Sequence, residues 1–536
     1  MFKKFKTLLL SGIALILILS TFAMPADAAY RKGFDAKKVG GNLVFSTFAD
    51  ATRLTPGTTS DAVSNRLQGM MFDGLVTTDI KNNIIPSLAT SWKVENNTKK
   101  YTFTLRKGVK FHDGKPLTAH DVVFTFDMFM HKDSINPYKG TYTMIDKVTA
   151  KDNNTVVFDL KDPSPLFLYA AGSPGILPKH KFPNGVKSFN DSSFHRNPVG
   201  SGMFKFKEWK TAQRVVLVAN KDYWDGRPYM NQVTMKILPD ANVEVVNLLK
   251  YQVDFVESVG PKSVATVQKN KNLKIVKYDQ GRYDYIGLNQ KDPLFADMKV
   301  RQALSFGLNR PAIVNTVLLK NAQLASGPIH PMEAPYNKNV KPLAYDVKKA
   351  NDLLDDAGWK MGSSGYREKG GKVMEVTLTY NNGNKVREDI AKMAQQDWKK
   401  IGVKTTIRSY DFSIWLEKID SGEVTAHVSA WSLGTNPDKY GLWHSSQIPA
   451  NNNQGVKDAR VDKIMEDFRK EPNAAKRNAL YQELHKILND NAHSLWLHHP
   501  KGFAGMHKDL AGVKFSLYSR YFNMIDWYWN DPKKRK

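Results

Sequence analysis

Between residues 387 and 410 the chain changes hydrophobic period, and that change limits what it can fold into. Ile390, Met393, Ala394, Trp398 and Ile401 recur at the three- and four-residue spacing of a helix face. Gly402 follows as a C-terminal cap, and VKTTI resumes as a strand. A helix closed by glycine and returned as a strand is a unit of a layered α/β domain. The same alternation runs through the chain. Residues 43–47, LVFST, read as a short buried strand, and residues 65–72 have helical spacing with Leu67, Met70 and Met71 on one side. Residues 99–105 and 155–160 alternate as half-buried strands, each preceded by a turn at Asn97-Thr98 or Asn153-Asn154. A helix is predicted over 119–130, entered through Thr118 as N-cap, with Asp121 suiting its positive end. Residues 461–468 and 474–488 read as two more amphipathic helices, separated at Glu471-Pro472-Asn473. No internal repeat is visible.

The N-terminus carries a separate message. Lys3, Lys4 and Lys6 precede an apolar run from Leu8 to Leu19, Pro25 breaks any helix, and Ala26-Asp27-Ala28 places small residues at a cleavage site. This reads as a secretory signal peptide, residues 1–28. An uncleaved membrane anchor is the alternative, because the run is nearly long enough to span a bilayer. The remaining 508 residues exceed a single core and suggest about three domains. Cysteine is absent, which excludes disulfides, thiolate metal sites and a cysteine nucleophile. The net charge is +26. The lysines are dispersed over the whole chain and not gathered into a patch, which argues against nucleic acid as a partner. Association with anionic cell wall or membrane surface through the overall field fits better, beside the plain alternative of solvated lysine faces.

Catalytic constellations are missing from the sequence: there is no HExxH helix, GxSxG elbow, Walker loop or GxGxxG. His493, His498 and His499 form the densest histidine group but lack the spacing of a metal site. The chain therefore reads as a non-enzyme with neither cofactor nor metal.

Three segments, YTFTLRKGVKFHDGKPLTAHDVVFTFD (101–127), NPVGSGMFKFKEW (197–209) and VRQALSFGLNRPAIV (300–314), occur in the order seen in a known family. With GRPYMNQVTMKILPDANVE, NGNKVREDIA and WSLGTNPDKYGLWHSSQI, the chain resembles the bacterial solute-binding proteins of family 5. These serve ABC importers of peptides and sometimes of nickel or other solutes, and the last three strings resemble the App-type oligopeptide binders. The resemblance runs from about Gly41 to the C-terminus. It implies a type II periplasmic-binding fold: an α/β protein of two lobes with a hinge and an inserted extra domain. Mapped here, one lobe is 41–75, 195–285 and 503–536, the inserted domain is 76–194, and the other lobe is 286–502. It also implies a monomer that captures oligopeptides outside the cytoplasm and docks on the permease subunits of the importer. A nickel chelate, haem, an oligosaccharide or a peptide pheromone are the alternative ligands. Relatives of single-membrane bacteria are commonly tethered by a lipid on a cysteine; this chain has no such residue, so it is expected free in a periplasm, secreted, or held by its N-terminal helix.

The candidate site follows from the same resemblance. Residues 429–446, SAWSLGTNPDKYGLWHSS, read by themselves as a structural loop around a buried Trp431. In peptide-binding relatives this strand end lines the cleft and pairs with an extended ligand, which implicates Ser429, Ala430, Trp431, Ser432, Leu433 and Gly434. Related binders usually carry an aspartate three residues after that tryptophan for the ligand ammonium. Here the position is Gly434, and Asp438 lies four residues further round the turn. An unclamped peptide N-terminus, and so acceptance of longer peptides, is the expectation. Thr47, Phe48, Ala49 and Asp50 are expected on the facing wall, with Asp50 as a carboxylate for a ligand cation or, alternatively, a solvated loop residue. Tyr283, Tyr285 and Asn289 are expected near the crossover between lobes, and a packed strand face is equally open for the tyrosines. His444 is the histidine nearest the tryptophan strand that a metal chelate would call for. HDGKPLTAHDV is assigned to the fold of the inserted domain and not to ligand contact.

Overall fold

The computed structural model describes residues 33–172, 174–449 and 451–534; the signal-peptide reading of 1–28 lies outside them. Twelve strands, ten in one continuous path and two beside it, make two sheets joined by a single long strand, Leu495–His507. Its C-terminal half pairs antiparallel with Leu273–Asp279, Asp279 opposite Lys501, and with Phe255–Val256. Beyond these lie Asn42–Thr47, Gln232–Ile237, Arg214–Ala219 and Phe204–Lys210. Its N-terminal half pairs instead with Arg282–Leu288 and Ala322–Leu324, in the sheet completed by Ala426–Ser432, Glu375–Asn381 and Lys404–Tyr410. The chain changes sheets between Asp279 and Arg282 and again between Pro500 and Lys501. Two adjacent crossings of this kind leave few bonds to resist relative rotation of the sheets, as hinges require.

Local chemistry explains the elements. The strand Asn42–Thr47 is parallel to Gln232–Ile237, with Leu43, Phe45, Ser46 and Thr47 buried and Val44 half-buried, which is why it reads as a nearly continuous buried run. The helix Lys385–Lys399 enters through the Asn384 side chain, which accepts from Arg387 N. It ends before Gly402, whose φ of +76° is the left-handed geometry glycine tolerates, and Lys404–Tyr410 follows as a parallel strand. The helix Ala119–Met130 begins at Thr118, and Asp121 Oδ2 accepts from Thr118 N at 2.9 Å. That helix backs a separate four-stranded antiparallel sheet, Ala89–Glu95, Lys100–Leu105, Thr155–Leu160 and Ile145–Asp152, over a core rich in phenylalanine. His112 ties this unit to the first sheet: Nδ1 accepts from Gly200 N at 3.1 Å, and Nε2 lies 3.0 Å from Gly202 O. The second sheet has its own core around Leu378, Ile390, Trp398 and Val428. Among the described residues no helix is long and apolar enough to cross a membrane.

Candidate functional site

A cavity of about 1470 Å³ opens between the two sheets, lined from one side by Ser46, Thr47 and Phe48 and from the other by 429–434. Pockets for drug-sized ligands run to roughly 300–1,000 Å³, so this space suits something longer.

The strand Ala426–Ser432 supplies the most telling feature. On one edge it pairs antiparallel with Arg282–Leu288 along its whole length. On the other, Glu375–Asn381 pairs only with Ala426 and His427. Past His427, among the described residues, no strand covers that edge. The alternation of antiparallel bonding says which groups are free. Leu433 N donates to Gly281 O at 2.7 Å, so Leu433, Trp431 and Ser429 belong to the bonded pairs. Ala430 and Ser432, between them, turn their N–H and C=O groups to the open edge. Trp431 is half-buried against the cluster of Tyr283, Tyr285, Trp443 and Trp496, which backs the strand.

Of the residues expected in the site, Thr47, Phe48, Tyr285 and all six of 429–434 line the cavity. Thr47 Oγ1 is buried without a hydrogen-bond partner. Phe48 reaches across to Phe412, on the helix Phe412–Asp420 of the second sheet. Ala49, Asp50, Tyr283, Asn289 and His444 are placed elsewhere. Asp50 accepts from Ala51 N at 2.9 Å, Trp209 Nε1 at 2.8 Å and Ala212 N at 2.8 Å, so its own lobe occupies the carboxylate. Tyr283 is buried behind the wall, 5.6 Å from both Tyr285 and Trp496. Asn289 accepts from Lys291 N. His444 stacks on Tyr440 with Nδ1 2.8 Å from Ser446 Oγ. Gly434 faces open space, and Asp438, though it lines the cavity, is committed to Arg469 Nε at 2.7 Å.

The cavity also gathers groups that sequence reasoning missed. Glu257 pairs with Arg520 Nε at 2.7 Å and with Arg66. Burial alone would raise its carboxyl, but the two guanidinium groups hold it down to about 2. Asp284 receives Arg282 at 2.9 and 2.5 Å. Burial opposes its charge, yet Arg282 and His498 keep its carboxyl below the ordinary range. His427 is buried with neither ring nitrogen bonded, and burial beside Arg387 pushes its pKa down to about 3. Arg387 donates to Asn381 Oδ1 at 2.5 Å and sits over Trp415. These residues come from segments far apart in the chain, so no local spacing announces them. Among the described residues no cluster of three His, Asp or Glu side chains is arranged to hold a metal. His493 meets Gln290, and His499 meets the Arg282 carbonyl.

Comparison with known proteins gives the context. Residues 83–453 match the family described as bacterial extracellular solute-binding proteins, family 5 middle. The oligopeptide-binding protein AppA of Bacillus subtilis is 36% identical over 98% of this chain and 99% of its own length. Its structure in complex with a nonapeptide superimposes with a TM-score of 0.89, covering 92% of this chain and 99% of that one. DppA from Helicobacter pylori with the peptide STSA gives 0.85 at 26% identity, and NikZ from Campylobacter jejuni with Ni(L-His) gives 0.83 at 26%, each covering 92% of this chain and 99% of the other. The fold is that of these type II periplasmic binding proteins.

Proposed function

Because this chain belongs to the bacterial extracellular solute-binding proteins of family 5, whose members bind solutes and do not transform them, we propose that it captures oligopeptides for an ABC importer. One observation carries the peptide: the open edge at Ala430 and Ser432 faces a cavity of about 1470 Å³. An extended chain laid there adds a strand, bonding main chain to main chain whatever its side chains are, while water fills unused pocket space. The likeness to AppA, which was solved with a nonapeptide, supports the same reading.

The two sheets with their helices act as lobes, 41–75, 195–285 and 503–536 against 286–502, with 76–194 inserted. They close over the ligand about the paired crossings and present a joint surface to the permease. The protein works as a monomer without catalysis. It is exported by residues 1–28 and, having no cysteine, is not held by a lipid thioether; its strongly positive charge, +26 over the full chain, favours anionic envelope surfaces. With Gly434 where an ammonium-binding acid would stand and Asp438 occupied by Arg469, the peptide N-terminus is not clamped at that point, and octapeptides bind more tightly than dipeptides.

Native mass spectrometry of the purified protein, followed by release and sequencing of what co-purifies, tests this reading. A ladder of mixed peptides several residues long is the expected result. A single non-peptide mass or a metal chelate keeps the fold and overturns the ligand.

A further inference from the structure

Most acidic side chains on the cavity wall are already answered. Glu257 is bracketed by Arg66 and Arg520, Asp284 by Arg282, Asp438 by Arg469, and Asp389 by Lys262. Glu244 differs. It lies in the first turn of the helix Ala241–Leu249, lines the cavity, and is only 8% exposed. Among the described residues it makes no ion pair, and the nearby cation Arg66 is spent, with Arg520, on Glu257. Beside it is the Ser46 hydroxyl, which is buried and has no other hydrogen-bond partner.

A carboxylate taken out of water without a counter-charge is costly, and such groups are paired or stay neutral. The lining position of Glu244 and Ser46 leaves room for a group that enters with the ligand. Carboxylate and hydroxyl oxygens together accept hydrogen bonds, which suits an ammonium or guanidinium and not an anion.

We propose that Glu244, with Ser46 beside it, is a specificity subsite for a cationic group of the bound peptide, either a lysine or arginine side chain or the free N-terminal ammonium. The proposal rests on the peptide-binding reading above and says which peptides are preferred. Burial, with like charges at Glu257 and Asp240 and against the opposing charge of Arg66 and the Ser46 hydroxyl, pushes Glu244 up to about 8. The group therefore waits largely protonated and gives up its proton when a cation arrives.

Calorimetry on the intact protein with neutral octapeptides carrying one lysine, moved through each position, is the test. Each is compared with its norleucine counterpart and with its N-acetylated form, which separates the side chain from the terminal ammonium. Loss of the recognised charge is expected to weaken wild-type binding about tenfold or more, but Glu244→Gln binding less than about twofold. Equal affinity of charged and neutral peptides for the wild type, or an undiminished preference in Glu244→Gln, sinks the cation subsite and leaves peptide capture standing. No binding of any peptide removes both. Should Glu244→Gln fail to fold, wild-type titrations at pH 7 in two buffers of different ionisation enthalpy decide. Release of about one proton per cationic peptide supports the subsite, and no release overturns it.

Discussion

Phe48 and Phe412 meet edge-on across the gap between the two sheets, their ring centroids 4.9 Å apart with the planes at 90°. Phe48 follows the first strand of one lobe, and Phe412 opens a helix of the other. An aromatic contact across this gap has to break before the two bodies can move apart. Edge-to-face pairs contribute about 0.5–1.5 kcal/mol beyond their buried area. Phe412→Ala is therefore expected to speed peptide release about 3- to 10-fold in stopped-flow displacement, with a smaller change in the association rate. An unchanged release rate would show that the pair does not hold the cleft shut.

The open strand edge makes a positional prediction. Ala430 N–H faces the cavity, whereas Trp431 N–H is spent on Arg282–Leu288. Proline removes a donor and adds a ring at the ligand edge. Ala430→Pro is expected to cost about tenfold or more in peptide affinity while the melting temperature moves little. Trp431→Pro breaks a sheet bond and an aromatic cluster, and is expected to lower the melting temperature clearly. Thermal melts and titrations of both variants check the assignment; the reverse ranking would mean that the register alternates the other way.

Glu257 joins three distant segments through Arg66 and Arg520. Removing its charge leaves two buried guanidinium groups without an anion, a loss of about 3–5 kcal/mol for a pair of this kind. Glu257→Gln is expected to unfold at markedly lower urea concentration at pH 7. The folded carboxyl is held near 2, below its ordinary 4.5, so its contribution is present above pH 4.5 and is lost as pH falls toward 2. Wild type and variant should converge in stability as pH is lowered through that range. A constant gap from pH 7 to pH 2 would assign the effect to packing.

Glu244 gives the opposite sign. Its folded carboxyl is raised from 4.5 to about 8, so the folded state holds the proton more tightly than the unfolded chain. Stability contributed by the neutral form is full below pH 4.5 and falls as pH rises to about 8. Without peptide, Glu244→Gln should match the wild type near pH 4 and melt about 2 °C or more higher at pH 9. Differential scanning calorimetry across that range reads it directly, and a variant equally stable at both ends would mean that Glu244 is solvated.

The sequence carried what depends on neighbours in the chain. The helix over 119–130, its Thr118 entry and its Asp121 cap were all legible because helix ends are satisfied within a few residues. Gly402 marked a helix-to-strand change because only its own backbone had to turn left-handed. The strand 155–160 was legible from its alternation alone. Family resemblance carried the stretch 429–434 to the cavity, although local pattern favoured a plain loop.

Tertiary structure decided the rest, since hydrogen-bond and charge balance close over long distances. Asp50 looked available from its surroundings in the chain, yet Trp209 and Ala212 fill it. Glu257 and Glu244 are both buried glutamates, and only folding gives one of them two arginines and the other none. The free edge at Ala430 and Ser432 exists because Glu375–Asn381 parts from its neighbour after His427. Local pattern can indicate a strand, but whether its second edge is covered depends on a partner some fifty residues away.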